Sequence, residues 1–137
     1  MMTFIWLLLG VVLGIGFLLF AQRQGQEEKR LLAMGLVLAA LVYVAFLGIF
    51  GGTTTWFWIE LGGVLVYSFV AWLGWRFHTL WLAVGWGLHP IWDAALHLFV
   101  GGADFVPEWY VWACISFDIV VAAYIVMQVR QRKLVAT

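Results

Sequence analysis

The sequence is short of charged residues: only 10% of its 137 residues are Asp, Glu, Lys or Arg, whereas 66% are hydrophobic. A soluble domain carries about 25% charged residues, and even a large core leaves much of a chain in contact with water. This composition excludes a water-soluble fold, because such a fold would expose too much apolar surface. The net charge is zero. With no basic tail, nucleic acid is not an expected partner.

Cysteine, histidine and lysine are also scarce, and each shortage excludes a class of site. The single cysteine, Cys114, excludes an intramolecular disulfide and a multi-cysteine metal site. In an apolar run we expect it to be a small packing residue. Three histidines are too few for the histidine-rich di-iron oxygenases of membranes. Neither lysine lies in an apolar segment, which excludes a retinal Schiff base.

Long hydrophobic runs are what the sequence has in abundance. A membrane span needs roughly 20 apolar residues, since a rise of ~1.5 Å per residue must cover ~30 Å of hydrocarbon. The first run is longer than a typical signal core and no Lys or Arg precedes it, so we interpret it as a retained helix. The chain is predicted to be all-α, a polytopic membrane helix bundle forming a single domain over 1–137. About five transmembrane helices are expected, at 3–21, 31–50, 56–75, 79–100 and 109–128.

The basic residues predict the orientation of these spans. With five spans, all seven Lys and Arg residues fall on one side of the membrane, and the loops 51–55 and 101–108 on the other side contain none. Cytoplasmic loops are enriched in Lys and Arg. The pattern therefore predicts an N-terminus outside and a C-terminus in the cytoplasm, in the cell membrane of a bacterium.

Five ionisable residues lie within the apolar segments, where such side chains are costly and usually face protein or water. They are Glu60, His89, Asp93, His97 and Asp118. The first histidine, the first aspartate and the second histidine are spaced i, i+4, i+8, which places all three on one helical face. If the other charged faces also point inward, spans three, four and five enclose a pocket that opens to the outside.

Proline follows the first histidine of this stripe directly. Pro90 removes one helical hydrogen bond and leaves the carbonyl of Trp86 without its usual partner. A kinked helix with one polar stripe is typical of a site and unlike a lipid-facing surface.

Four interpretations of the pocket remain open from the sequence. Its five ionisable residues are candidate ligands for a divalent metal such as zinc, since His and carboxylate groups suit first-row metals. Alternatively, His89, Asp93, His97 and Asp118 are catalytic residues for acid–base chemistry on an apolar or lipid-like small molecule. The same groups could conduct protons or metal ions. They could also form a purely structural network.

Membrane lipids are the expected surroundings of the chain, and a homo-oligomer is a further expectation. In the first span Gly10, Gly14 and Gly16 form a pattern of small residues that allows close helix packing. This face could serve either the bundle or a dimer.

The stretches GWGLHPIWDAALHLF and VPEWYVWACISFDIVVAAYIV, together with EEKRLLAMGL at 27–36, resemble a family of small, uncharacterised bacterial and fungal membrane proteins. That family has an H-x-x-W-D-x-x-x-H stretch. The resemblance implies no activity. A weaker analogy is to the sterol isomerase and sigma-receptor-like fold, whose motifs do not match. The family pattern implied by the resemblance contains His89, Trp92, Asp93, His97, Cys114 and Asp118.

Overall fold

A computed structural model describes residues 1–101 and 104–135, and the side chains of these residues up to 132. Within these residues the chain is all-helical and has no strand, which confirms the all-α part of the predicted fold class. A 3₁₀ turn at Gly25–Glu27 precedes α2, and a π-helix at Ala94–Phe99 continues α4. The five α-helices are α1 (Met2–Arg23), α2 (Glu28–Phe50), α3 (Thr54–Arg76), α4 (Leu80–Asp93) and α5 (Glu108–Val135).

Four of these helices, α1, α2, α3 and α5, are long and apolar enough to cross a membrane. Large apolar side chains on the outside of the bundle are exposed, among them Leu65 at 64%, Phe69 at 58% and Ile91 at 63%. Soluble monomers rarely show such continuous apolar surface. Both features point to a membrane protein. The predicted fourth segment consists instead of 14 residues of α4 and six of π-helix.

The helix ends follow local chemistry. Thr53 caps α3, because its Oγ1 accepts a hydrogen bond from the Trp56 amide at 3.3 Å. Gly51 ends α2 with a positive φ of 81°, a conformation that glycine adopts at little cost. The link between α3 and α4 is short, and His78 Nδ1 accepts from the Leu80 amide at 3.1 Å.

Most helices of the bundle pack against their neighbours in sequence, but α1 packs mainly against α5. Helix α5 packs against α1 and α4, and α3 packs against α2 and α4, whereas α1 and α2 touch only lightly. At the centre, Trp86 is 1% exposed, and its Nε1 donates to the carbonyl of Leu32 at 3.1 Å, joining α4 to α2. At one end the Tyr124 hydroxyl of α5 donates to Glu28 of α2 and accepts from Gln128 Nε2.

The predicted glycine face of the first span packs against α5 of the same chain at Gly10 and Gly14. A Cβ at Gly10 would lie 2.0 Å from the Ala113 carbonyl oxygen and 2.1 Å from Ser116 Oγ. That hydroxyl donates to the carbonyl of Leu7 at 2.8 Å, so it joins the same two helices. By contrast, a Cβ at Gly16 would meet nothing within 4 Å. Close approach of α1 and α5 therefore requires the glycine at position 10.

Candidate functional site

Four side chains that can bind metals converge where α4 faces α5. Helix α4 supplies His89 and Asp93, and α5 supplies Cys114 and Asp118. We call these four side chains the four-residue cluster. Each pair is spaced i, i+4, so both members lie on the same helical face. One nitrogen, oxygen or sulfur atom from each residue lies within 4.8 Å of the corresponding atoms of the other three, and all four residues are buried.

The histidine lies between the two carboxylates. His89 Nδ1 lies 2.8 Å from Asp118 Oδ2, a hydrogen-bonding distance, and 3.4 Å from Asp93 Oδ2, where the atoms are not aligned for a hydrogen bond. Both aspartates are 0% exposed. Both oxygens of Asp93, and Oδ1 of Asp118, have no hydrogen-bond partner. Since unpaired buried carboxylate oxygens are costly, the cluster has acceptor capacity that protein groups do not satisfy.

A second pair of ionisable side chains, His97 and Glu60, lies near the four-residue cluster. His97 Nε2 is 3.0 Å from Glu60 Oε1, and the two side chains are 0% and 2% exposed. The two atoms are not aligned for a hydrogen bond, and the other ring nitrogen, Nδ1, also has no partner. The predicted site residues are therefore divided. The structure brings His89, Asp93 and Asp118 together, whereas His97 joins Glu60.

Aromatic rings surround both groups. Tyr43 stacks on His97 with ring centres 4.6 Å apart and planes 7° apart, and its ring centre is 6.0 Å from that of His89. Its hydroxyl is buried without a partner. Tyr67 meets His89 edge-on at 4.8 Å. The single polar stripe predicted from the sequence thus becomes two polar groups with Tyr43 in contact with both histidines.

At the end of the site where the sequence predicts an opening to the outside, the described residues place apolar side chains. Trp56 and Phe105 both pack on the His97 ring, with ring centres 5.9 Å apart in each case. The described part of the loop before α5 also buries Val106 at 7% exposure. Apolar side chains from α3 and from this loop therefore cover the end of the site at which we expected an opening.

Comparison with known proteins gives a family assignment. A family model described as a family of unknown function, DUF6010, matches residues 5–131. The chain belongs to DUF6010. No curated protein and no solved structure matches it. The DUF6010 match includes every residue of the four-residue cluster and of the second pair, but the family carries no activity that could be assigned to them.

Two residues of this DUF6010 site were not among the predicted site residues, although the family pattern implied by the resemblance included Cys114. Cys114 is 8% exposed and contributes its sulfur to the cluster, although we expected a packing residue. Its spacing of four from Asp118 repeats that of His89 and Asp93, and this repetition was the available signal. Tyr43 lies in an apolar helix far from the other site residues in sequence, so nothing predicted its contact with them.

The donor set of the DUF6010 cluster fits a divalent metal. Nitrogen, sulfur and two carboxylate ligands, four in number, suit tetrahedral Zn²⁺, which binds its ligands at about 2.0–2.3 Å. Two ionised carboxylates and a cysteine thiolate carry three negative charges, so a divalent cation would reduce the net charge of the buried site from three to one. The unpaired oxygens of Asp93 and Asp118 are the atoms that such an ion would bind. Small movements of the side chains would bring all four atoms into range.

Proposed function

We propose that this DUF6010 protein is an integral membrane protein that binds a divalent metal ion, preferably Zn²⁺, in the four-residue cluster. The observation that carries the proposal is the convergence of four buried ligand atoms, with three carboxylate oxygens that have no protein partner. A purely structural network would pair these oxygens with donors, because buried polar groups are normally satisfied. A bound cation would satisfy them and neutralise their charge.

The proposal includes five spans, with the N-terminus outside and the C-terminus in the cytoplasm of a bacterial cell. Four helices have the required length and hydropathy, and the continuous helix from Leu80 to Phe99 supplies the fifth span. The positive-inside pattern supports the orientation. The cluster then lies within the hydrocarbon region, where a metal held by three of the four residues would keep an open position and would activate water or polarise a substrate. The remaining residue of the four would lie beside the metal, within reach of the reacting group.

Metal analysis of the purified protein tests this function. We expect about one equivalent of zinc per chain after purification in detergent, and a rise in melting temperature when Zn²⁺ is added to chelated protein. Asp93→Asn and Asp118→Asn should each lower zinc content at least tenfold. The matched control is Asp104→Asn, because Asp104 is exposed in the loop before α5.

Two outcomes would contradict metal binding. One is chelated protein that takes up no zinc and melts at the same temperature with and without Zn²⁺. The other is zinc retained equally by Asp104→Asn and Asp118→Asn, which would place the metal elsewhere.

A second candidate function is acid–base chemistry without a metal, on an apolar or lipid-like molecule. The distance of 2.8 Å between His89 Nδ1 and Asp118 Oδ2 favours it, since a buried His–carboxylate pair can pass a proton to or from a substrate. It predicts a ligand that co-purifies with metal-free protein and is detected by extraction and mass spectrometry. If His89→Gln and Asp118→Asn retain that ligand as the native protein does, this function is wrong.

A further inference from the structure

An apolar groove leads from the outside of the bundle to the four-residue cluster. It lies where α1 and α2 touch only lightly, and it has a volume of about 440 Å³. Phe17 of α1, Ala39 of α2 and Trp86 of α4 form part of its wall, and Cys114 and Asp118 of α5 also line it. The volume is within the range of small-molecule sites. If the bundle spans the bilayer, the groove faces lipid chains.

The polar part of the groove is restricted to the region around Asp118. Asp118 is 0% exposed and its Oδ1 has no hydrogen-bond partner, although the residue lines the groove. None of the described residues that line the groove is basic. A phosphate or another anionic headgroup would therefore lose its hydration without gaining an ion pair, at considerable cost. The wall instead suits a hydrocarbon chain with one neutral hydrogen-bonding group.

We propose that the groove binds a lipid with a single long chain and a small uncharged head, such as a long-chain alcohol, which enters sideways from the bilayer. This names the class of molecule on which the cluster acts, and it rests on the proposed membrane function. The chain lies along Phe17 and Trp86, and the head lies at the end of the groove lined by Cys114 and Asp118. The lateral route is open, whereas Trp56 and Phe105 cover the other approach.

Photolabelling with a diazirine-bearing hexadecanol tests the groove in the full chain reconstituted in phosphatidylcholine vesicles. We expect labelled peptides to come from the parts of α1, α2 and α5 that line the groove, and excess unlabelled hexadecanol to compete. Ala39→Trp fills the groove and should lower this labelling at least fivefold. The matched control is Ala45→Trp, at an exposed position of the same helix that does not line the groove.

A second variant keeps the test informative if Ala39→Trp fails to fold. Leu38 is 58% exposed and lines the groove, so Leu38→Trp narrows its entrance without entering the core. The proposal is overturned if labelling spreads evenly over all lipid-facing helices, or if it is equal in the native and groove-filled proteins. A dimer that these variants dissociate would assign the groove to a second copy of the chain and would also overturn it.

Zinc content measured on the same samples separates this proposal from the proposed function. Specific groove labelling in protein that takes up no zinc would reject the metal site and leave the lipid site standing. Stoichiometric zinc without specific labelling would reject the lipid site and leave the metal site standing. Ala39→Trp should keep its zinc, because Ala39 belongs to α2, which contributes no ligand to the cluster.

Discussion

The role assigned to Cys114 differs between the sequence and the structure. In the sequence it is one small residue in an apolar run, and packing is the common role of such a cysteine. In the structure its sulfur faces a histidine and two carboxylates, all buried. The partners on α4 are more than twenty residues away in sequence. Their approach depends on how α4 and α5 pack, which periodicity within one helix does not specify.

A first prediction at the residue scale concerns this sulfur. Protein loaded with Co²⁺ should show a thiolate-to-cobalt charge-transfer band in the near ultraviolet, because thiolate ligands bind such metals directly. Cys114→Ser should abolish that band while the visible cobalt bands persist, since His89 and the aspartates remain. Absorption spectroscopy measures both features. An identical near-ultraviolet band in Cys114→Ser would show that the sulfur is not a ligand.

A second prediction concerns the hydroxyl of Tyr43, which is buried without a partner while its ring stacks on His97. Tyr43→Phe keeps the ring and removes an unsatisfied group that costs about 1–3 kcal/mol. We therefore expect this variant to unfold at the same or a higher temperature than the native protein in metal-free detergent solution. A clear fall in melting temperature would mean that the hydroxyl has a partner, for instance an ordered water.

At the scale of the helix, the most instructive element is the one that carries His89 and His97. Regular α-helical spacing predicted one stripe of His89, Asp93 and His97. After Asp93 the helix changes to π winding, with the Val100 amide donating to the Ala95 carbonyl at 3.1 Å. Each residue of a π-helix advances by a smaller angle than in an α-helix. The winding therefore changes the direction of His97, which lies beside Glu60 of α3.

Much of the remaining helical structure could be predicted. The ends of α2 and α3 lie within about three residues of the predicted spans, because polar segments and a Thr cap mark them clearly. The π-helix was not predicted, since no simple residue pattern distinguishes it from an α-helix. Contacts such as that of α1 with α5 were not predicted either. They depend on shape, such as the fit of Gly10 against Ala113, and hydropathy contains no information about shape.

A third prediction, at the element scale, uses the contact between α1 and α5. Gly10→Ala should destabilise the protein by about 1–3 kcal/mol, because the added methyl group overlaps the Ala113 carbonyl and forces the helices apart. Gly16→Ala is the matched control: it lies on the same helix with open space around it, and alanine favours helix by about 1 kcal/mol. Reversible unfolding in mixed detergent measures both variants. Equal stability of the two would contradict the proposed close packing.

At the scale of the whole molecule, the distribution of charge predicts the orientation. Cysteines placed at exposed positions in two loops test it: Gln26→Cys between α1 and α2, and Thr55→Cys at the start of α3. A membrane-impermeant maleimide added to intact cells should label Thr55→Cys and leave Gln26→Cys unlabelled until the cells are opened. Native Cys114 is buried and serves as the unlabelled background. The reverse labelling pattern would show that the orientation of the bundle in the membrane is opposite to the predicted one.

The contact of α1 with α5 has a consequence for the order of events during synthesis. Helices of membrane proteins insert first and pack afterwards, and a chain is made from its N-terminus. In the proposed membrane topology, α1 would therefore be in the bilayer before α5, the helix against which it mainly packs. Until α5 packs, His89 and Asp93 lack Cys114 and Asp118, the other two members of the four-residue cluster. In the proposed topology the site would be completed only when α5 packs, and a chain that ended before residue 108 would leave His89 and Asp93 without their partners on α5.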